Sequence, residues 1–289
     1  MQRNFIGHLS ALICILIWGS TFIASKILLR DFSAVSIILI RFSVGFFALL
    51  CFRPKRMHLG NKKREGIFAL AGFTGVTLYF LLENTALLYT MAANVGIIIA
   101  SAPLFTGLLA VLFSRGKEKL SPSFFLGFFL AISGISLVSL NGAQLHMNPL
   151  GDILVLGAAI SWAIYSLLLR KISIWGYDPL LVTRHVFFWG LLFMLPASLL
   201  FQPTINPSVL VRPQTLFLFA YLGICACALC YVLWGQAVTI LGPMRTGAWL
   251  YLSPVVTMSF SALLLKESLT PLMLTGAALV LLGLFFSER

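Results

Sequence analysis

One carboxylate in this chain lies deep inside an apolar segment. Glu83 follows the run Tyr-Phe-Leu-Leu and precedes Asn-Thr-Ala. If the segment is helical, its rise places Glu83 roughly 7 Å below the end of the run. An ionisable group at that depth must pair, take up a proton or face water, so it predicts a functional site. Three roles remain open: binding a substrate amine, carrying a coupling proton, or pairing structurally with Arg41.

Arg41 is the second charge that the pattern places inside an apolar run. Its planar guanidinium group matches a substrate carboxylate. A structural ion pair with Glu83 is the favoured interpretation, because both residues fall in the same half of their runs. Glu83 also shares a helical face with Gly72, Gly75 and Tyr79, and small residues on that face allow another helix to approach closely.

Several other apolar runs carry Trp, Tyr, Ser and Asn at helical spacing. Each pattern by itself is typical of ordinary helix packing and of aromatic belts at a membrane interface. Together, however, such side chains at mid-membrane depth suit a cavity for an amphipathic solute. The candidate substrate-binding residues are Glu83, Trp18, Trp162, Asn94, Ser101, Tyr79, Tyr165, Trp234 and Arg41.

Two prolines, Pro103 and Pro254, fall in the middle of apolar runs. Proline removes a backbone donor and clashes with the carbonyl four residues earlier, so each predicts a kinked helix. The kinks are candidate gating hinges, or else static bends that shape a cavity.

The composition places the chain in a membrane. Sixty per cent of its 289 residues are hydrophobic and only 10% are charged. A soluble chain of this length does not bury that much apolar surface behind a polar exterior. A span needs about 20 apolar residues, and the sequence predicts an all-α integral membrane protein with ten transmembrane helices. The predicted spans are about 5–28, 33–52, 66–88, 92–114, 121–140, 151–170, 179–200, 214–239, 243–265 and 270–286.

The sequence repeats itself. One set of residues, Ala86, Gly96, Pro103, Glu118, Gly127 and Gly134, recurs as Ala237, Gly247, Pro254, Glu267, Gly276 and Gly283. A second set, Gly7, Trp18 and Lys26, recurs as Gly151, Trp162 and Arg170. The repeat predicts two five-helix units, residues 1–145 and 146–289. Because five is odd, the second unit enters the membrane from the opposite side, as in many secondary transporters. The counterpart of Glu83 is Trp234, so the polar chemistry does not follow the repeat.

The distribution of basic residues predicts an orientation. With the N-terminus inside, 14 Lys and Arg lie on the inner side and 4 on the outer side. The positive-inside rule then places both termini in the cytoplasm. The basic stretch between the second and third spans has an alternative interpretation, a patch that binds anionic lipid or a partner.

The doubled pattern resembles the drug/metabolite transporter superfamily, specifically the ten-helix EamA-type transporters. The residues that carry the resemblance are the two repeated sets given above, together with Trp18-Gly19 in the first run. The resemblance spans the whole chain. It implies a basket-like fold in which helices 1–4 and 6–9 surround a central cavity and helices 5 and 10 lie at the periphery. It also implies the movement of small metabolites such as amino acids and their derivatives, mostly outward.

These observations predict a secondary transporter in a cytoplasmic or inner membrane, an exporter of amino acids or related amphipathic solutes that works by alternating access. The expected partners are a small-molecule substrate, the lipid bilayer and, as a candidate coupling ion, protons. No nucleic-acid partner and no cofactor are expected, and the chain is expected to act as a monomer or a weak homodimer. The sequence lacks a Gly-rich loop with Lys that could bind ATP. It also lacks a His/Glu cluster at metal-ligand spacing and a Ser with a plausible His partner, so an enzyme is not expected. The alternative is a membrane sensor or scaffold without transport activity.

Overall fold

The computed structural model describes residues 2–57, 59–113, 121–144 and 149–287. Glu118, one of the repeat residues, lies outside these ranges. Within them the chain is helical and contains no strand. It forms ten apolar helices and one short helical turn at Pro207–Leu210. The ten helices are α1 (Gln2–Leu28), α2 (Ala34–Phe52), α3 (Lys62–Ala86), α4 (Ala92–Phe113), α5 (Pro122–Gln144), α6 (Pro149–Ser173), α7 (Pro179–Phe201), α8 (Pro213–Leu241), α9 (Arg245–Leu265) and α10 (Pro271–Ser287).

Eight of these helices are long and apolar enough to cross a membrane, all except α5 and α10. The apolar parts of those two, Pro122–Val138 and Pro271–Phe286, are shorter. The chain is therefore a multi-pass α-helical membrane protein. Local sequence sets several boundaries: Ser33, Asn61 and Asp178 each accept a hydrogen bond from a backbone N–H at the start of α2, α3 and α7. Such caps satisfy donors that the first helical turn cannot pair.

The sequence predicts a kink at each of the two prolines, and the structure interrupts the regular α-helix at both places. In α4, an α-helix ends at Ile99 and a second one begins at Ala102, just before Pro103. In α9, a 3₁₀ stretch at Ala248–Leu252 precedes an α-helix whose first turn holds Pro254. Each proline therefore lies in the first turn of a helical segment, where its missing N–H leaves no hydrogen bond unmade. The breaks fall at corresponding places in α4 and α9.

The close contacts of the fold also occur in corresponding pairs. A Cβ on Gly134 would lie 2.5 Å from the carbonyl of Gly276, and one on Gly283 would lie 2.4 Å from the carbonyl of Gly127. These contacts join α5 and α10 in antiparallel fashion. At the ends of the bundle, Gly7 packs on Leu241 and Gly151 packs on Thr90, with the nearest approaches 2.8 and 2.9 Å from the ideal Cβ positions.

Two π-helical segments form a third pair. They are Phe73–Leu78 in α3 and Tyr221–Leu229 in α8. Because a π-helix bonds five residues back instead of four, such segments loosen the regular backbone ladder and are frequent at functional sites. Carbonyls of both segments accept hydrogen bonds from side chains of other helices. Both segments lie beside the central cavity described next.

Candidate functional site

A cavity lies at the centre of the bundle, between helices of both halves of the chain. The space open to the centre of a water molecule is about 30 Å³, room for about two waters. The cavity is thus narrow. Its lining combines two charged groups with aromatic rings and a few hydroxyls: Ile15, Trp18, Thr21, Phe22, Arg41, Tyr79, Phe80, Glu83, Ile99, Trp162, Tyr231, Leu250 and Ser253.

Arg41 reaches the cavity from α2 and is 1% exposed. Its Nε donates to the Sγ of Cys227 at 3.3 Å, and its Cζ lies 4.4 Å from the centre of the Phe80 ring. The Phe42 ring lies 5.6 Å from the same atom. These contacts hold the guanidinium group in place through a thiol and cation–π interactions. Its Nη1 is buried and has no hydrogen-bond partner in the described part of the chain, so one donor remains available for a ligand.

Glu83 reaches the same cavity from α3 and is also 1% exposed. Its Oε1 is buried, and no described residue gives it a hydrogen bond. Among the residues that the structure describes, no ion pair within 4 Å joins Glu83 to Arg41. The structural pair with Glu83 that the sequence favours for Arg41 is therefore not formed by direct contact. Both groups line one cavity, and each leaves one buried polar atom, Arg41 Nη1 and Glu83 Oε1, without a hydrogen-bond partner among the described residues.

Aromatic rings surround the two charges. Trp18 of α1 and Trp162 of α6 meet edge to face with their centroids 5.3 Å apart. Tyr79 packs on Trp162 at 5.2 Å, Tyr165 packs on it at 5.1 Å, and Trp234 packs on Trp18 at 5.1 Å. Such contacts stabilise the rings as one cluster and supply an apolar surface beside the polar groups.

The structure brings together most of the candidate substrate-binding residues. Five line the cavity: Glu83, Arg41, Tyr79, Trp18 and Trp162. Tyr165 and Trp234 support its rings. The other two, Asn94 and Ser101, are not among the side chains that line it. Asn94 donates to Thr90 at one end of the bundle, and Ser101 donates to the carbonyl of Ile98 beside the break in α4.

That end of the bundle, which we call the Lys26 end, carries a polar network between the two halves of the chain. Lys26 Nζ lies 2.8 Å from Glu267 Oε1 and 3.0 Å from the carbonyl oxygen of Thr90. The Glu267 carboxylate also accepts the N–H groups of Ala92 and Ala93 at 3.2 and 3.3 Å. These are the first N–H groups of α4, which lack partners within the helix. A second link joins Thr90 Oγ1 to Asp152 Oδ1 at 2.8 Å, so the network joins the two halves of the chain at this end.

The network predicts a pH dependence of stability. Burial raises the pKa of the Glu267 carboxyl, but Lys26 and hydrogen bonds from Ser261 and the Ala92 N–H lower it by more, so its pKa lies below the ordinary value of 4.5. A carboxyl with a lowered pKa stabilises the folded state above its ordinary value, and that contribution is lost as the pH falls through the lower, folded value. We expect Glu267→Gln to lower the melting temperature at pH 7 by roughly 3–6 °C, and the difference from wild type to shrink below pH 4.5. A difference that stays constant from pH 7 to pH 3 would contradict this account.

The opposite end of the bundle, the Arg64 end, holds a second group of polar contacts. Glu65 accepts hydrogen bonds from Trp189 Nε1 at 2.7 Å and lies 2.8 Å from His185 Nε2. Arg64 donates to the Tyr177 hydroxyl at 2.6 Å and lies over the Trp175 ring. These contacts join α3 to α7 and to the α6–α7 connection. They involve the start of α3, whereas Thr90 of the Lys26 end network follows the end of α3.

Four residues of these contacts do not stand out in the sequence as site residues. Cys227 accepts the hydrogen bond from Arg41 Nε, and Tyr231 lines the cavity. Lys26 and Glu267 enter the sequence analysis only as repeat residues, although opposite charges at the ends of two spans indicate that they could pair.

The comparisons with known proteins agree with a transporter. Residues 5–140 and residues 149–288 each match the model of the EamA-like transporter family. A solved crystal structure aligns with a TM-score of 0.66 over 100% of this chain and 98% of that chain, at 17% identity. That likeness concerns the fold alone.

Curated relatives match along almost their whole length. An uncharacterized transporter of Archaeoglobus fulgidus is 27% identical, with 98% of each chain covered. A probable terminal-alkyne amino-acid exporter of Streptantibioticus cattleyicolor is 28% identical, over 94% of this chain and 90% of the relative. A probable amino-acid metabolite efflux pump of Escherichia coli is 28% identical, over 96% and 93%.

Proposed function

The chain belongs to the EamA-like transporter family, and on that premise we propose that it is a secondary exporter of amino acids or related amphipathic solutes. Transport proceeds by alternating access of the central cavity to the two sides of a cytoplasmic membrane. The names of the relatives in Streptantibioticus and Escherichia, an amino-acid exporter and an amino-acid metabolite efflux pump, support this substrate class.

One observation carries the proposal: a buried acceptor and a buried donor, neither with a partner, line the same cavity. The Glu83 carboxylate accepts a substrate ammonium group, and Arg41 Nη1 donates to a substrate carboxylate. A buried polar group without a partner is costly, so a zwitterion that satisfies both groups binds favourably. The rings of Trp18, Trp162 and Tyr79 contact its apolar part.

The internal architecture supports alternating access. Two family matches, the paired breaks in α4 and α9 and the antiparallel α5–α10 pair all fit two units of five helices related by an in-plane two-fold axis. In this arrangement all ten helices cross the membrane, with α5 and α10 peripheral. Inverted units exchange conformations when the accessible side changes.

The orientation follows from the basic residues. The Arg64 end carries the charge excess, with Arg53, Lys55, Lys62 and Lys63 near Arg64, and is the cytoplasmic end by the positive-inside rule. The Lys26 end then faces outward. In this structure the network of Lys26 and Glu267 closes the outer end, and release to the outside requires that network to open.

Flux through purified protein tests the proposal. We expect proteoliposomes that contain the chain to exchange radiolabelled neutral amino acids with apolar side chains at a rate well above protein-free liposomes. Unlabelled substrate should compete, and lysine or glutamate should compete less, because a further charge would lie against the aromatic rings. Stabilisation of the purified protein by a solute without flux would favour the sensor alternative. A screen of amino acids that finds neither flux nor stabilisation would remove this substrate class.

A further inference from the structure

The indole N–H groups of Trp18 and Trp162 have opposite hydrogen-bonding states in this structure. Trp18 Nε1 donates at 2.9 Å to the carbonyl oxygen of Ala226, in the π-helical segment of α8. Trp162 Nε1 is buried and has no partner among the residues that the structure describes. The two residues occupy equivalent places in the two halves of the chain, 144 positions apart. Chemically identical groups at equivalent positions are therefore used differently.

The repeat identifies the partner that Trp162 lacks. The shift of 151 positions that relates α3 to α8 takes Ala226 back to Gly75, in the π-helical segment of α3. The counterpart of the bond from Trp18 to Ala226 is thus a bond from Trp162 to Gly75. In each case a tryptophan of one unit donates to a π-helical carbonyl of the other.

Another donor occupies the Gly75 carbonyl in this structure. The Tyr231 hydroxyl donates to it at 2.6 Å, and the Tyr231 ring lies 5.9 Å from the Trp162 ring. The residue that corresponds to Tyr231 in α3 is Phe80, which has no hydroxyl and cannot compete for the Ala226 carbonyl. Tyr231 therefore takes the place of Trp162 on one side only.

We propose that Trp18 and Trp162 form an indole switch, in which each tryptophan donates to the π-helical carbonyl of the opposite unit in only one of the two transport states. With the Lys26 end closed, Trp18 bonds Ala226 and Tyr231 bonds Gly75. When the Lys26 end opens, Trp162 replaces Tyr231 on Gly75 and the bond from Trp18 to Ala226 breaks. This proposal rests on the proposed function, because it assumes two states that interconvert.

The switch couples substrate binding to the π-helical segments of α3 and α8. Both indoles line the cavity, so a substrate that contacts the rings also contacts the side chains whose hydrogen bonds to those segments differ between the two states. The prolines of α4 and α9 are not needed for this step, since the carbonyls that change partner belong to α3 and α8.

Amide hydrogen exchange at the start of α4 measures the state directly. The N–H groups of Ala92 and Ala93 donate to Glu267 across the Lys26 end network, their one acceptor among the described residues, so they are protected when that end is closed and exposed when it opens. The probe is hydrogen–deuterium exchange of peptides that cover residues 88–96, measured on the full chain in nanodiscs without substrate. Melting temperature and elution profile show that each variant is folded.

The switch predicts changes of opposite sign for two matched substitutions. Trp162→Phe removes a bond made only in the open state, so exchange at Ala92 and Ala93 slows by about two- to tenfold, the effect of one hydrogen bond on the equilibrium. Trp18→Phe removes a bond made only in the closed state, so exchange accelerates by a similar factor. Tyr231→Phe frees the Gly75 carbonyl and also accelerates exchange, without altering either tryptophan.

The outcomes separate the switch from a structural role. If both tryptophans only supported the cavity, both variants would accelerate exchange, and that result would overturn the proposal. Unchanged exchange in all three variants would overturn it as well. Amino-acid flux is measured on the same samples: opposite shifts in exchange without flux would leave the switch standing and remove the transport function. Amino-acid flux together with exchange that shifts in the same direction in Trp162→Phe and Trp18→Phe would support the transport function and overturn the switch.

Discussion

Glu83→Gln is expected to reduce transport by about 10- to 100-fold, the loss that follows when a charge-assisted hydrogen bond to a substrate becomes a neutral one. Glutamine keeps the size of the side chain and an acceptor oxygen but carries no charge. Because Glu83 Oε1 has no partner in the unliganded protein, the substitution breaks no hydrogen bond of the fold. We therefore expect the variant to insert and to elute as a folded protein, with a loss of flux far larger than any loss of stability.

Arg41 supplies the matched control. If the two charges stabilise each other across the cavity, Glu83→Gln leaves a buried cation without compensation and lowers the melting temperature. Adding Arg41→Gln should then restore stability. If both groups bind substrate, the double variant is stable but transports no better than either single one. Normal flux in Glu83→Gln would remove this carboxylate from the mechanism and leave the hydroxyls and rings as the site.

The same variant separates an amine-binding role from a proton-carrying one. If Glu83 binds the substrate ammonium group, its replacement raises the substrate concentration needed for half-maximal exchange. If Glu83 carries a proton, its replacement leaves transport down the substrate's own gradient intact but abolishes accumulation of substrate driven by a pH gradient. Measurements of both kinds of flux on wild type and Glu83→Gln assign the role.

The apolar helices, eight of them long enough to cross a membrane, could be predicted from the sequence because they depend on local composition. Runs of apolar residues and capping residues such as Asn61 and Asp178 act within a few positions of the chain. The burial of Glu83 followed from the same pattern. The prolines were harder: Pro103 was correctly located, but the break in α4 begins at residue 100, and only the backbone shows that a new helical segment starts before the proline.

The partners of the site residues could not be predicted, because they come from distant helices. Whether Arg41 meets Glu83 or Cys227 depends on how α2 is rotated against α3 and α8, and a rotation of one residue position changes the answer. The pattern of polar and aromatic residues predicts that Asn94 lies in the cavity, yet it lies in the network with Thr90 and Asp152. The different hydrogen-bonding states of the Trp18 and Trp162 indoles can be recognised only from the repeat and the structure together.

A glycine at the α5–α10 contact gives the second large effect, this time on stability. We expect Gly283→Ala to lower the melting temperature, because its Cβ would lie 2.4 Å from the Gly127 carbonyl oxygen and 2.6 Å from the Ala131 backbone nitrogen. Backbone atoms cannot rotate away as a flexible side chain does, so the two helices must separate. Overpacking of this kind costs about 1–3 kcal/mol. Flux per folded molecule should change little, since neither helix contributes to the cavity lining that the structure describes.

Gly235 in α8 is the control for this substitution, because a Cβ there meets nothing within 4 Å. Gly235→Ala should leave the melting temperature unchanged or raise it, since alanine favours a helix by about 1 kcal/mol over glycine.

The two-fold relation adds a stricter requirement. Gly134→Ala, whose Cβ would lie 2.5 Å from the Gly276 carbonyl, should destabilise the protein in the same direction as Gly283→Ala. If Gly283→Ala and Gly134→Ala melted at the temperature of Gly235→Ala, α5 and α10 would not pack at this distance, and the antiparallel pair would no longer support two inverted units.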